Sequence, residues 1–165
     1  KLLLSVQQTD CFYLEMIMKT LLKQFTTSEA GFDTLPLRAA AGVVFTAHGA
    51  QKLFGWFGGY GLEGTAGWMA SIGLEPGMLM AALAGSAEFF GGLALIAGFL
   101  VRPAAVVLAL TMVVAIVTVH LANGLFMANN GYEFGLVLLA VSVSLVIRGA
   151  GSVSADRVIS TRLSQ

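Results

Sequence analysis

Pro76-Gly-Met-Leu-Met-Ala-Ala-Leu-Ala-Gly-Ser-Ala-Glu88-Phe-Phe-Gly-Gly-Leu-Ala-Leu-Ile-Ala-Gly-Phe-Leu100 is an apolar run with one charged residue, Glu88. It exceeds the roughly 20 apolar residues that a helix needs to cross a bilayer. A carboxylate at mid-membrane costs roughly 2.5–3.5 kcal/mol on insertion scales. A neighbour at the same depth has to compensate for it, and few residues elsewhere in the chain qualify.

The surrounding sequence has the same character. Of 165 residues, 57% are hydrophobic and 11% charged, with a mean hydropathy of +0.85. Soluble domains carry about 25% charged residues, so this composition excludes a soluble globular enzyme and predicts one integral membrane domain. A net charge of zero without any basic cluster excludes a nucleic-acid partner. The single cysteine, Cys11, leaves no intramolecular disulfide and no multi-cysteine metal site, and no metal centre is expected. The sequence opens on Lys1, while Met16 and Met18 would each serve as an initiator. That sets residues 1–17 apart from the rest as a stretch whose place in the native protein stays open. Residues 1–33 form a cytoplasmic N-terminal segment containing a short basic amphipathic lead-in over 18–25. No apolar core follows it before Asp33, which argues against a cleaved signal.

The fold class is all-α, an integral membrane four-helix bundle. Four spans are expected over about 35–54, 77–100, 103–121 and 132–147, within a membrane domain covering 34–148 and followed by a cytoplasmic tail, 149–165. Arg102-Pro103 is read as a tight turn between the second and third spans. Barrel strands would alternate polar and apolar residues, and these runs do not. Lys19, Lys23, Arg38, Arg102, Arg148, Arg157 and Arg162 all fall on one side of such a bundle, and only Lys52 falls on the other. The positive-inside rule then places both termini in the cytoplasm. Gly42 and Gly49 on the first span, with Ala81, Gly85, Gly91 and Gly92 on the second, let helices approach closely where no hydrophobic force drives them together. Association into a homo-oligomer is compatible with this. The glycine-rich connection 55–75 carries Trp56 and Trp68 as interface anchors, and its stretch 65–72 reads as a short helix on the outer leaflet.

Depth follows from the rise of about 1.5 Å per residue. His48 and Glu88 each lie roughly 18 Å from the cytoplasmic ends of their spans. They form the candidate intramembrane proton-handling pair. Lys52, one turn further out on the His48 face, joins His120 and Glu133 near the outer mouth. Arg38 shares the Lys52 face close to the cytoplasmic end. Lys52, His120, Glu133 and Arg38 are therefore candidate binding residues of a polar cluster and pathway. Each has a plainer reading beside it. Glu88 and His48 pin helices together, Lys52 and Glu133 snorkel to the interface, and Arg38, Arg102 and Arg148 anchor orientation. Phe89-Phe90 reads as packing.

The segment Arg38-Ala-Ala-Ala-Gly-Val-Val-Phe-Thr-Ala-His48-Gly-Ala-Gln-Lys52-Leu-Phe-Gly resembles the first-helix signature of the DoxX family of small bacterial inner membrane proteins. Glu88-Phe-Phe-Gly-Gly-Leu, Gly98-Phe-Leu-Val-Arg102-Pro-Ala-Ala, His120-Leu-Ala-Asn-Gly-Leu-Phe and Asn130-Gly-Tyr-Glu133-Phe resemble its later landmarks, in order, over about 35–148. The resemblance implies a multi-pass protein of the bacterial inner membrane. The family takes its name from likeness to a small subunit of an archaeal terminal quinol oxidase, related to a thiosulfate:quinone oxidoreductase subunit. It therefore implies a quinone-interacting subunit of a redox-linked membrane complex. The partners implied are the lipid bilayer, a redox partner protein and a membrane quinone.

The residues themselves allow that chemistry, since quinone reduction needs protons delivered to carbonyl oxygens and histidine titrates near neutrality. The sequence carries no dinucleotide fingerprint, cysteine cluster or haem-attachment motif, so no cofactor is expected in the chain and electrons would come from the partner. His48 and His120 differ by roughly 9 Å in depth, which disfavours a shared haem iron. Two other classes fit the same polar groups. One is a small-solute transporter or permeability protein, told apart by flux without redox change. The other is a non-catalytic membrane adaptor, told apart by indifference to loss of the Glu88 charge.

Overall fold

The computed structural model describes residues 2–164, with side chains from Phe12 onward. Lys1, with its bearing on the start of the chain, and the Cys11 thiol lie outside the described residues. Among the described residues the chain is helical throughout and holds no strand. In order come α1 (Leu2–Thr26), α2 (Thr34–Phe54), α3 (Gly61–Ser71), α4 (Gly77–Ala97), α5 (Val101–Ala115), α6 (Glu133–Arg148) and α7 (Ala155–Arg162). Beyond Ala115, α5 widens into a π-turn, Ile116–His120, and tightens again over Leu121–Asn123.

Glycine sets the packing of α2 against α4. A Cβ at Gly42 would lie 2.8 Å from the Gly92 carbonyl oxygen. One at Gly49 would lie 2.8 Å from that of Gly85 and closer still to the Phe89 backbone. Bare backbones therefore touch along two full turns, in antiparallel register, as small residues permit between helices in lipid. The register places His48 level with Glu88. α3, expected as a short outer helix, packs over the outer end of α4, where Gly77 leaves room for the Ala70 side chain. α6 lies along α5.

The solvent preference of the surface is inverted. Leu83, Phe90, Leu110, Val117, Val137 and Ile147 are all more than half exposed, while Arg38, Glu88, Ser142 and Asp156 are buried. An exposed apolar band of this extent requires an apolar surrounding. Two helical stretches, Gly77–Ala97 and Val101–Asn123, are long and apolar enough to cross a membrane. The other two expected spans fall short by that measure. α2 carries Arg38, His48 and Lys52, and α6 has 16 residues, about 24 Å of helix.

The connection between α4 and α5 differs from the sequence expectation. The turn lies at Gly98–Leu100, where Gly98 and Leu100 adopt positive φ, and Arg102-Pro103 sits inside the first turn of α5. Proline is at home there because first-turn N–H groups have no intrahelical acceptor. Of the segment expected as a tail, residues 149–164 are folded onto this corner. The Asp156 carboxylate accepts from the N–H groups of Leu100 (2.7 Å) and Val101 (3.0 Å), and the Asp156 N–H donates to the Gly98 carbonyl at 2.9 Å. Arg38 donates to the Leu95 carbonyl at 2.9 Å and to the Val153 carbonyl. A cation thus meets the C-terminus of α4 and an anion the N-terminus of α5, the favourable arrangement for both helix dipoles.

Two outcomes are expected. Gly49→Leu and Gly92→Leu each lower stability in detergent by about 1–3 kcal/mol by forcing the backbones apart. Gly67→Ala, inside α3 where nothing lies within 4 Å, instead raises it by about 0.5–1 kcal/mol through helix propensity; denaturant unfolding of the three variants decides. For Asp156, burial pushes the carboxyl above its ordinary value, while the Val101 and Leu100 N–H groups and Arg38 pull it back. The folded state then favours protonation, so the Asp156 contribution is full below a pH of about 3.9 and is lost as pH rises through the raised value. Unfolding measured against pH should show this contribution in the parent chain and its loss in Asp156→Asn.

Candidate functional site

Two helices meet at Glu88. On α4 its carboxylate is 4% exposed and is held by the Lys52 Nζ of α2 at 2.6 Å. The sequence pointed to His48 as its partner, and the backbone register does put His48 at the same level. The side chains decide otherwise. In a helix each Cα–Cβ bond tilts toward the N-terminus, and α2 and α4 run in opposite directions. Lys52 therefore leans back toward the start of α2 and Glu88 toward the start of α4, which closes the offset of one turn, about 5.4 Å, between them. The expected two tiers merge into one.

His48 remains beside this pair, in the wall of a cavity of about 370 Å³. Its ring lies 6.3 Å, centroid to centroid, from that of Phe134 on α6, on the far side. The cavity lies among α2, α4, α5 and α6, with Trp68 and Met69 of α3 at its outer end. Such a volume suits a small ligand. Its lining is mostly apolar, with polar groups from His48, Lys52, Glu88, Thr111, Thr118, His120 and Asn130. The hydroxyls of Thr111 and Thr118 are turned to the carbonyls of Val107 and Val114 in their own helix. That leaves the two histidines, Asn130, the Trp68 indole and the Lys52–Glu88 pair to offer polar contacts.

His120 enters through the π-turn, a local widening that often occurs at functional sites. Its Nδ1 lies 2.8 Å from the Asn130 carbonyl oxygen, which also accepts from the Asn123 amide at 3.2 Å. A carbonyl only accepts, so Nδ1 carries a proton, and Nε2 is the ring nitrogen left to meet a ligand.

Of the candidate residues, His48, Lys52, Glu88 and His120 line this one cavity. Arg38 does not, because it is buried at the opposite end of the bundle in the Leu95 and Val153 contacts. Glu133 does not either. Its carboxylate accepts from the Met127 N–H at 2.6 Å and so ties down the loop before α6. Thr111, Trp68 and Phe134 join the cavity without any signal in the sequence, being ordinary residues of apolar helices. Asp156 also went unnoticed, although Ser154-Ala-Asp156 is a helix-start pattern, with the Ser154 hydroxyl accepting from the Arg157 N–H. Phe89 packs edge-on against Phe54 and Phe90, as expected of a packing pair.

Comparison with known proteins places the site in context. Residues 34–121 match the model of the DoxX family. A protein of Bacillus subtilis (strain 168) named "Putative oxidoreductase CatD" is 36% identical over 123 residues, which cover 74% of this chain and 84% of the relative. No solved structure matches significantly. The family match takes in α2 to α5 and so contains His48, Lys52, Glu88 and His120.

The ion pair makes a specific energetic prediction. With Lys52 24% and Glu88 5% exposed, Lys52→Met or Glu88→Leu alone should destabilise the protein by about 1–4 kcal/mol, since each strands a partner. The double variant Lys52→Met/Glu88→Leu should recover most of that loss. A double-mutant cycle by denaturant unfolding reads the coupling, and strictly additive losses would remove the pair from the account.

Proposed function

The chain belongs to the DoxX family, and from that premise we propose that this membrane protein is a quinone-interacting subunit of a redox-linked complex in the bacterial inner membrane. In this reading α2, α4, α5 and α6 cross the bilayer, with both termini on the cytoplasmic side. The clustering of Arg38, Arg102 and Arg148 at one end of the bundle and the positive-inside rule support that orientation. The side-by-side packing of α2 with α4 and of α6 with α5 supports four spans.

One observation carries the functional reading. An ion pair, Lys52–Glu88, sits in the wall of an otherwise apolar cavity of about 370 Å³ with two histidines. Reduction of a quinone takes two electrons and two protons and places negative charge on the carbonyl oxygens. The Lys52 ammonium, held by Glu88, would donate a hydrogen bond to one such oxygen and stabilise the charge as it develops. His48 would deliver one proton, and the second would come from water. Electrons would come from a partner protein, in keeping with the oxidoreductase name of the relative.

Titration of the purified full chain with menadione tests this. Saturable binding is expected, weakened about tenfold, or about 1.4 kcal/mol, in Glu88→Gln with helical content unchanged. Absence of saturable binding in the parent chain would remove the quinone. Vectorial flux of a solute without redox change would replace it with transport.

A further inference from the structure

Beside the polar cavity lies a second one, of about 340 Å³, along the groove between α4 and α5. Leu83, Ala84 and Ala87 form one wall and Val107, Leu110 and Thr111 the other. The groove has a local cause. Further toward the corner the two helices are in close contact, because Gly91 admits Leu108, whose Cγ would lie 3.0 Å from a Cβ at that position. One and two turns outward, Ala87 and Ala84 face side chains that do not fill the space they leave. Thr111 spends its hydroxyl on the Val107 carbonyl at 3.0 Å, so it presents its methyl. No charged side chain lines the groove.

Two features decide what it holds. Met69, Leu74, Ala84, Thr111 and Val114 line both the groove and the polar cavity, so the two spaces lie on either side of the same side chains. At its other side the groove meets Leu83 and Leu110, which are more than half exposed on the apolar outer surface. A hydrocarbon chain that threads past the shared side chains would run from the cavity to the surrounding lipid without meeting a charged group of the groove. The groove cannot recognise a head group, and the cavity beyond Ala84 and Thr111 can.

We propose that the α4–α5 groove holds the aliphatic tail of the ligand whose ring occupies the polar cavity, so that the site takes prenylated, bilayer-borne quinones. The tail assignment rests on the quinone reading of the cavity. In lipid a tail gains no hydrophobic energy by leaving the acyl chains. The groove therefore acts by close packing and by aligning the ring for entry between α4 and α5.

The test uses the full chain in lipid nanodiscs and a geranylgeranylated naphthoquinone with a diazirine in the ring-proximal part of its tail. Adducts are expected on Leu83, Val107 and Leu110, suppressed by excess tailless menadione. They should fall about tenfold, the equivalent of about 1.4 kcal/mol, in Val107→Trp, with Ala87→Leu as a second block. Menadione affinity measured on the same variants reports that the ring site is intact. Adducts spread evenly over the outer faces of α4, α5 and α6, or insensitive to both blocks while menadione still binds, overturn the groove and leave the quinone reading standing. Failure of menadione to bind or compete overturns the quinone reading, and the tail assignment goes with it.

Discussion

The structure depends on the contact between two bare backbones. Gly42 and Gly49 of α2 meet Gly85 and Gly92 of α4 with no room for a methyl group. In lipid, where apolar side chains gain nothing by turning inward, such an approach supplies the packing that a soluble protein obtains from water exclusion. It also fixes the antiparallel register of α2 and α4. Because side chains lean toward helix N-termini, that register brings Lys52 and Glu88 together from opposite directions. The ion pair is thus a product of the glycine contact, and the cavity is what lies on its open side.

A second polar assembly holds the other end of the bundle. Arg38 serves the last carbonyls of α4, and Asp156 serves the first N–H groups of α5. Both are 1% exposed, so each terminus finds its counter-charge in protein. The two assemblies share α2 and α4 and differ in kind. The Arg38–Asp156 corner is closed around backbone groups. The Lys52–Glu88 pair borders an open space, with Lys52 partly accessible, and so it is the one that can act on a ligand. A charge in a membrane interior is costly enough that function is its default reading, and the open geometry separates Glu88 from Arg38 in that respect.

The outer loops complete the cavity. The π-turn of α5 and the positive-φ residue Asn130 bring the His120 ring to the Asn130 carbonyl, and Glu133 holds the Met127 amide in place. α3 contributes Trp68 and Met69 at the outer end. The π-turn and the Asn130 loop are local departures from regular helix, and they border the volume left among α2, α4, α5 and α6.

Much of this was legible in the sequence. The apolar runs determined an all-α protein with an inverted surface, because the composition leaves no other solvent for it. The isolated Glu88 marked the site, and the helical rise placed His48 at its level. Three things were decided only by the tertiary structure. The partner of Glu88 is Lys52, since residue depth locates a Cα and says nothing of which way a long side chain leans. Arg38 and Glu133 left the expected cluster because their hydrogen-bond partners, the carbonyls of Leu95 and Val153 and the amide of Met127, are backbone atoms that no residue pattern reveals. Asp156 came from a supposed tail to cap a corner 55 residues away, and the cavity itself exists only as space left between helices. Composition and periodicity determine which surfaces are apolar and how deep a residue lies; only packing determines which groups meet and where room remains.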